Sequence, residues 1–390
     1  MMNHPVEMLL SAMIVASVAY CLACIPAARR FFSRAQETDR IPGRPPVTVL
    51  IPLCGADFGA YENYASFCRQ DYPVYQIVFG VQDPNDSSTA VVRKLMADFP
   101  SSDIDLSVSA EVIGQNPKVN NLHHMLQKAR FDALVIADSD VRVGPEFLSE
   151  IVPPLQDEHI GMVTCFYRAG AAPTMASRIE AVGITAEFAP GVLMAHWMEG
   201  MTFALGATMA MTRGKLESVG GFRAVADHLA DDFMLGHLLW KAGHRILLLP
   251  HIVETVLPPM TLRNMLRHQV RWARGIRACR PGGHLGSIVT HGTALALLNV
   301  LLAQGSALSL ALLALALGAQ LAMAQFIGVG KLGDSILGRN LHLLPLRDLL
   351  SLCFWIAALT GREVEWRGKR YRLVEDGKMV PLDRHAACPK

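Results

Sequence analysis

The sequence predicts an α/β domain with a mostly parallel sheet, tied to a membrane by an N-terminal helix and a C-terminal apolar region. Three observations predict it. Of the 390 residues 51% are hydrophobic and 18% charged, whereas a soluble domain carries about 25% charge. The excess is concentrated in uncharged runs at 8–27 and 287–326. Between them, a stretch of ordinary composition at 45–285 alternates short apolar runs with helix-length segments.

Residues 8–27 are uncharged and long enough to cross about 30 Å of hydrocarbon as a helix. Only His4 and Glu7 precede the run, whereas Arg29, Arg30, Arg34, Arg40 and Arg44 follow it. A signal peptide has the opposite asymmetry, so 1–28 reads as an anchor with the following domain in the cytoplasm. The run at 287–327, broken near Gln304-Gly305-Ser306, reads as a hairpin of two spans. A third segment, 341–360, carries Arg347 and Asp348 and is less hydrophobic, so it reads as a third membrane or interfacial segment; a cytoplasmic tail after it would make its course re-entrant or interfacial. The basic stretch 361–390 then reads as a cytoplasmic tail. A multi-pass protein of a bacterial inner membrane is the expectation.

Within 45–285 the runs 47–53, 76–81, 133–137 and 161–167 are short buried strands by composition. Separated by helix-length segments, they imply crossover connections, and in such sheets ligands gather at the carboxyl ends of the strands. The net charge of +2, from 36 basic and 34 acidic residues, gives no case for nucleic acid. The eight cysteines, irregularly spaced, exclude a disulfide scaffold and fit a reducing compartment.

The residues able to do chemistry follow the strands. Asp83 and Asp86 lie in an acidic turn after 76–81, a composition that turns also favour for their own sake. Asp138 and Asp140 form a DSD after 133–137, where two carboxylates at the end of a buried strand need a positive partner. Mg²⁺ bridging nucleotide phosphates is one such partner, and helix capping is the plainer alternative. Lys118 and Asn120, in NPKVNN before a helix, suit a pyrophosphate or a cap equally. Asp231 and Asp232 are adjacent carboxylates, which tends to raise one pKa and suits a base that takes a proton from a hydroxyl. His268, Gln269, Arg271 and Trp272 stand in a basic segment that also reads as a juxtamembrane patch facing anionic lipid. The segment 176–209 is apolar and rich in Met and aromatics, either a core helix or a lipid-facing surface.

This ordered set (IPLCGAD, FCRQDYP, VQDPND, NPKVNNL, DSDVRVGP, GGF, LADDF and RW) resembles the family-2-like membrane glycosyltransferases with a D, D, D, (Q/R)xxRW signature. It is most similar to the lipid-acceptor branch, which holds ceramide glucosyltransferases and hopanoid-biosynthesis glycosyltransferases. The resemblance covers most of 46–285 and implies a GT-A fold and inverting transfer from a UDP-sugar (GlcNAc or glucose) to a membrane lipid at the bilayer. It implies Asp83, with Asp86, on the uridine, and Asp140 with Asp138 on Mg²⁺ or Mn²⁺. It also implies Asp232 as base beside Asp231, and Arg271 and Trp272 as the RW pair. His268 stands where the signature has Gln or Arg, with Gln269 beside it, a departure that tells against a processive polysaccharide synthase. ADHLADD with HxxRW favours a hopanoid polyol as acceptor, with ceramide as the alternative. A non-catalytic nucleotide-sugar-binding protein would not retain the acidic pairs. A transporter would place ionisable residues in the spans, where 287–326 holds only His291.

Overall fold

The computed structural model describes residues 5–34 and 43–382, so Arg40 and His4 lie outside the described residues. Packing divides the chain into two units: a helical unit of Met1–Arg34, Ala172–Met198 and Pro259–Glu365, and a sheet unit formed by the rest. The single block expected over 45–285 is therefore drawn differently. Residues 172–198 and 259–365 group with the N-terminal helix, and Ala176, Ile179, Val182 and Met265 pack in one core with Ala324, Leu337, Leu344 and Phe354.

In the sheet unit the strands are β1 (Val47–Pro52), β2 (Tyr75–Val81), β3 (Asp103–Val108), β4 (Ala133–Ala137), β5 (Val141–Arg142), β6 (Ile160–Ala171), β7 (Thr208–Thr212) and β8 (Arg245–Val256). They form one sheet in the order β3-β2-β1-β4-β7-β6-β8-β5. β1, β2 and β4 are buried along nearly their whole length, which is why they read as continuous apolar runs. β3, β2, β1 and β4 run parallel, as expected. β6 and β8 are parallel to each other, β7 runs antiparallel to both β4 and β6, and β5 antiparallel to β8, so the sheet is mostly parallel with β7 and β5 reversed.

The stretch read as a tail is structured. β9 (Glu363–Trp366) is followed by β10 (Lys369–Leu373), which pairs antiparallel with β11 (Met379–Pro381). Tyr371, Leu373 and Met379 are buried although basic residues surround them in sequence.

Among the described residues of the helical unit, three helices are long and apolar enough to cross a membrane: Pro5–Ser33, Ala307–Lys331 and Leu341–Leu359. Instead of an even hairpin, the chain before the second of these forms a pair, Pro281–Thr290 and Gly292–Leu302, bent by 60°. A Cβ at Gly292 would collide with Ser17, so the bend lets the second half approach the N-terminal helix closely. The charged side chains of 341–360 find partners inside the unit. Arg347 Nε donates to Glu187 at 2.9 Å, and Asp348 accepts from the Ala294 N–H at 2.8 Å. Ionisable side chains facing a bundle interior in pairs are compatible with a full span.

Candidate active site

Because β1, β2 and β4 are parallel neighbours, their carboxyl ends share one edge of the sheet, and each ends in acidic residues. Asp57 follows β1, Asp83 and Asp86 follow β2, and Asp138 and Asp140 follow β4. The two carboxylates after β2 have different tasks. Asp86 accepts from the Gly55 N–H (3.0 and 2.8 Å), the Ser88 N–H (2.9 Å) and the Ser88 hydroxyl (2.6 Å). Burial would raise its carboxyl, but these donors and the Arg367 charge outweigh it and hold it below the usual range. Asp86 thus ties the loop after β1 to the turn after β2, while Asp83 is exposed at the strand end and caps only its own turn, at 2.8 Å from the Asn85 N–H.

Lys118 is the positive partner that the DSD requires. The Asn116 side chain caps the helix Pro117–Met125 by accepting from the N–H groups of Lys118 and Val119, which fixes the lysine in the first turn. Its Nζ lies 2.7 Å from Asp138 and 3.5 Å from Asp231. Burial would lower the Lys118 ammonium, yet Asp138, Asp231 and Asp232 together hold it well above the usual lysine range. Asn120, expected to touch substrate, is instead committed to the fold. It accepts from the Ile113 and Gly114 N–H groups and donates to the Gly114 carbonyl, because the loop before the helix needs those polar groups met.

Asp231 and Asp232 open the helix Asp231–Lys241. The preceding loop is held from two sides. Asn116 donates to the His228 carbonyl (2.8 Å) and to Asp231 (3.2 Å). From the other side, the Met379 N–H donates to the Asp227 carbonyl (2.8 Å) and the Leu229 N–H to the Gly377 carbonyl (3.1 Å). The segment around β11 therefore fixes the start of the helix Asp231–Lys241.

Burial and the Asp231 charge push Asp232 up to about 6, against the pull of Lys118. Burial, then Asp138 and Asp57, push Asp140 up to about 7, even though Thr255 donates to it at 3.1 Å. Asp138 is also raised by burial, in spite of Lys118. The site holds more carboxylate than its one lysine neutralises, an arrangement that suits a divalent cation. Among the described residues no three His, Cys, Asp or Glu side chains form a ready-made cage. Mg²⁺ and its like take one or two carboxylates and complete their shell with water and phosphate oxygens, so Asp138 and Asp140 fit as the protein's share.

β7 enters at the same edge, where the Asp138 N–H donates to the Ala207 carbonyl at 3.1 Å. A Cβ at Gly206 would collide with the Asp232 carboxylate. Gly206→Val is therefore expected to displace that carboxylate and lower kcat about 100-fold, a loss of the size an ångström of misplacement causes. Steady-state kinetics beside a thermal melt check this, the melt separating displacement from unfolding.

Asp57 went unread in the sequence, although IPLCGAD places it after a strand as plainly as the DSD. It accepts from the Ser139 hydroxyl, which fixes the turn between Asp138 and Asp140.

In the helical unit, His268, Gln269, Arg271 and Trp272 lie on the helix Leu262–Cys279. Gln269 is buried and accepts from Arg347 at 2.8 Å. His268 Nδ1 lies 2.7 Å from Glu180, and its ring centroid is 5.0 Å from that of Trp272. The basic segment is not a simple lipid-facing patch, since Arg274 donates to the Glu363 carbonyl and Arg277 to that of Ala358.

Comparison with known proteins decides the family. The model of glycosyl transferase family 21 matches residues 9–379. The chain belongs to glycosyl transferase family 21. This family 21 member is 22% identical to ceramide glucosyltransferase 3 of Caenorhabditis elegans, over 90% of its own length and 77% of that protein. It is 36% identical to a ceramide glucosyltransferase of Candida albicans over 118 residues, which are 22% of that protein. Among solved structures, the mannosyltransferase PcManGT from Pyrobaculum calidifontis, in complex with GDP-Man and Mn²⁺, aligns over 89% of this chain and 98% of its own. The TM-score is 0.53 and the identity 21%. The family 21 chain has the GT-A fold and is a glycosyltransferase.

Proposed function

We propose that the protein transfers a hexose from a UDP-sugar to the hydroxyl of a membrane lipid, inverting the anomeric centre. One observation carries the reading: Asp232, raised to about 6, stands beside the Lys118–Asp138–Asp231 ion-pair cluster at the carboxyl edge of the sheet. A carboxylate tuned near working pH suits a base, and the remaining carboxylates suit a cation on a diphosphate. A divalent cation held by Asp138 and Asp140 would neutralise the diphosphate as it leaves; the solved mannosyltransferase relative holds Mn²⁺.

Asp83, exposed where Asp86 is engaged, is the carboxylate available to the nucleoside. Lys118 is placed to exchange Asp138 for a phosphate oxygen. Asp232 takes the proton of the acceptor hydroxyl as the oxygen attacks the sugar on the face opposite the leaving group. Arg271 on the departing diphosphate and Trp272 at the acceptor are proposed from the RW resemblance alone.

Three helices apolar enough to span a bilayer support a multi-pass inner-membrane protein with its sheet unit in the cytoplasm and a lipid acceptor. Two acceptors are supported by different observations. ADHLADD with HxxRW favours a hopanoid polyol. The relatives named ceramide glucosyltransferase favour ceramide. The purified protein, given UDP-glucose or UDP-N-acetylglucosamine with hopanoid and ceramide pools, should yield one glycolipid class identifiable by mass. Free sugar and UDP with no glycolipid would contradict the reading.

A further inference from the structure

Within the sheet unit, the loop before Lys118 lies against the loop before Asp231. The Gln115 N–H donates to the Asp227 carboxylate at 2.9 Å, and the Asn116 N–H to the Ala226 carbonyl at 2.8 Å. A Cβ at Gly114 would collide with Ala226, so the two loops pack as closely as a glycine allows. The fully buried Asn116 side chain spans this contact. Its Oδ1 accepts from the N–H groups of Lys118 and Val119. Its Nδ2 donates to the His228 carbonyl at 2.8 Å and to Asp231 Oδ1 at 3.2 Å.

An N-cap needs only an acceptor. Aspartate serves there as well as asparagine, and the helix N-terminus favours its charge. The cap therefore does not account for an asparagine at 116. Its amide hydrogens do, since both are used on the loop that carries the acidic pair. Asp231 is held on both oxygens, Oδ1 by Asn116 and Oδ2 by the Lys118 ammonium at 3.5 Å, in a residue 7% exposed. Asp232 is less deeply buried and meets the backbone N–H of Phe233.

We propose that Asn116 is the positioning residue that gives the two adjacent carboxylates different tasks: it holds Asp231 against the Lys118 helix and leaves Asp232 to take the proton of the acceptor. The inference rests on the transfer reading above, in which Asp232 is the base. Asn116 acts through Asp231 and has no part in the displacement itself. A carboxylate at 116 would accept where Nδ2 donates and would repel Asp231.

Full-length protein in detergent is given UDP-glucose or UDP-N-acetylglucosamine with ceramide or a hopanoid polyol, using the pair that the wild type turns over. Asn116→Asp keeps the cap, which a thermal melt checks. Its kcat should fall about 100-fold, the scale of a slight misplacement at the reacting atoms, while UDP binding by calorimetry changes less than about threefold. Asn116→Ser, whose hydroxyl caps the helix but is too short to reach Asp231, should lose kcat likewise without an added charge. In the double variant Asn116→Asp with Asp231→Asn, donor and acceptor change sides and the charge of the cluster is restored. Its kcat should rise at least about tenfold above that of Asn116→Asp alone, a coupling that a purely structural role does not produce. Wild-type kcat in either single variant overturns the inference, as does a loss that the exchange leaves unrelieved. If Asp232→Asn is inactive beside such a result, the transfer reading stands.

Discussion

Asp232→Asn should lower kcat about 10³-fold, the middle of the range for a lost general base, while UDP-sugar binding is retained. The wild type should show an acid limb near pH 6, since Asp232 is protonated below about 6 and then takes no proton from the acceptor. The variant should lack that limb. Its stability should change in the opposite sense to its activity. A carboxyl whose folded pKa lies above its ordinary 3.8 is disfavoured in its charged form by the fold, so the fold loses stability as pH rises from about 4 through 6. Asp232→Asn is therefore expected to melt higher than the wild type at pH 7 and equally below about pH 4. A variant with wild-type kcat would remove Asp232 from the chemistry. One that also fails to bind UDP-sugar would make it a binding residue.

The second large effect concerns the cation. Asp140, pushed up to about 7 by burial and by Asp138 and Asp57, accepts a hydrogen bond from the Thr255 hydroxyl. Chelation with EDTA should stop turnover, and Mg²⁺ or Mn²⁺ should restore it. Several kcal/mol of charge stabilisation, which the ion supplies on a diphosphate, corresponds to about 10³-fold or more in rate. Asp140→Asn should resist rescue until the metal concentration is raised well above the wild-type requirement. Full activity in chelator would contradict the role given to Asp138 and Asp140.

Much of the sheet unit was legible because its central strands are buried on both faces. β1, β2 and β4 therefore appear as short apolar runs, and the acidic residues after them follow from the rule that ligands collect at strand ends. β3 was hidden because it lies at the sheet edge and alternates Asp103, Asp105 and Ser107 with Ile104, Leu106 and Val108. β7 (Thr208–Thr212) begins inside the apolar segment 176–209, which read as a core helix or a lipid-facing surface. β8 is interrupted by Pro250 and His251. The antiparallel entry of β7 leaves no local signal, and with it the approach of Gly206 to Asp232 was invisible. Asp86 and Asn120 looked like substrate contacts because turn and loop tethering draws on the same polar residue types as recognition.

Around the membrane segments, what a charged side chain means depends on partners that the sequence does not show. Arg347 and Asp348 suggested an interfacial course because their partners, Glu187 and the Ala294 N–H, are distant in sequence. Glu180 drew no notice, since a lone acid in an apolar helix carries no motif. Its partner, the histidine 2.7 Å away, is distant in sequence. The basic tail concealed an alternation, Tyr371 and Leu373 inward between Arg and Lys, that a strand reading would have found.

The glycolipid's anomeric carbon offers the most direct test. With UDP-α-glucose as donor, a single displacement assisted by Asp232 predicts a β-glycoside in the NMR spectrum of the purified product. An α-glycoside would mean that the sugar was not attacked from the face opposite the diphosphate, and would contradict the account of this carboxylate cluster.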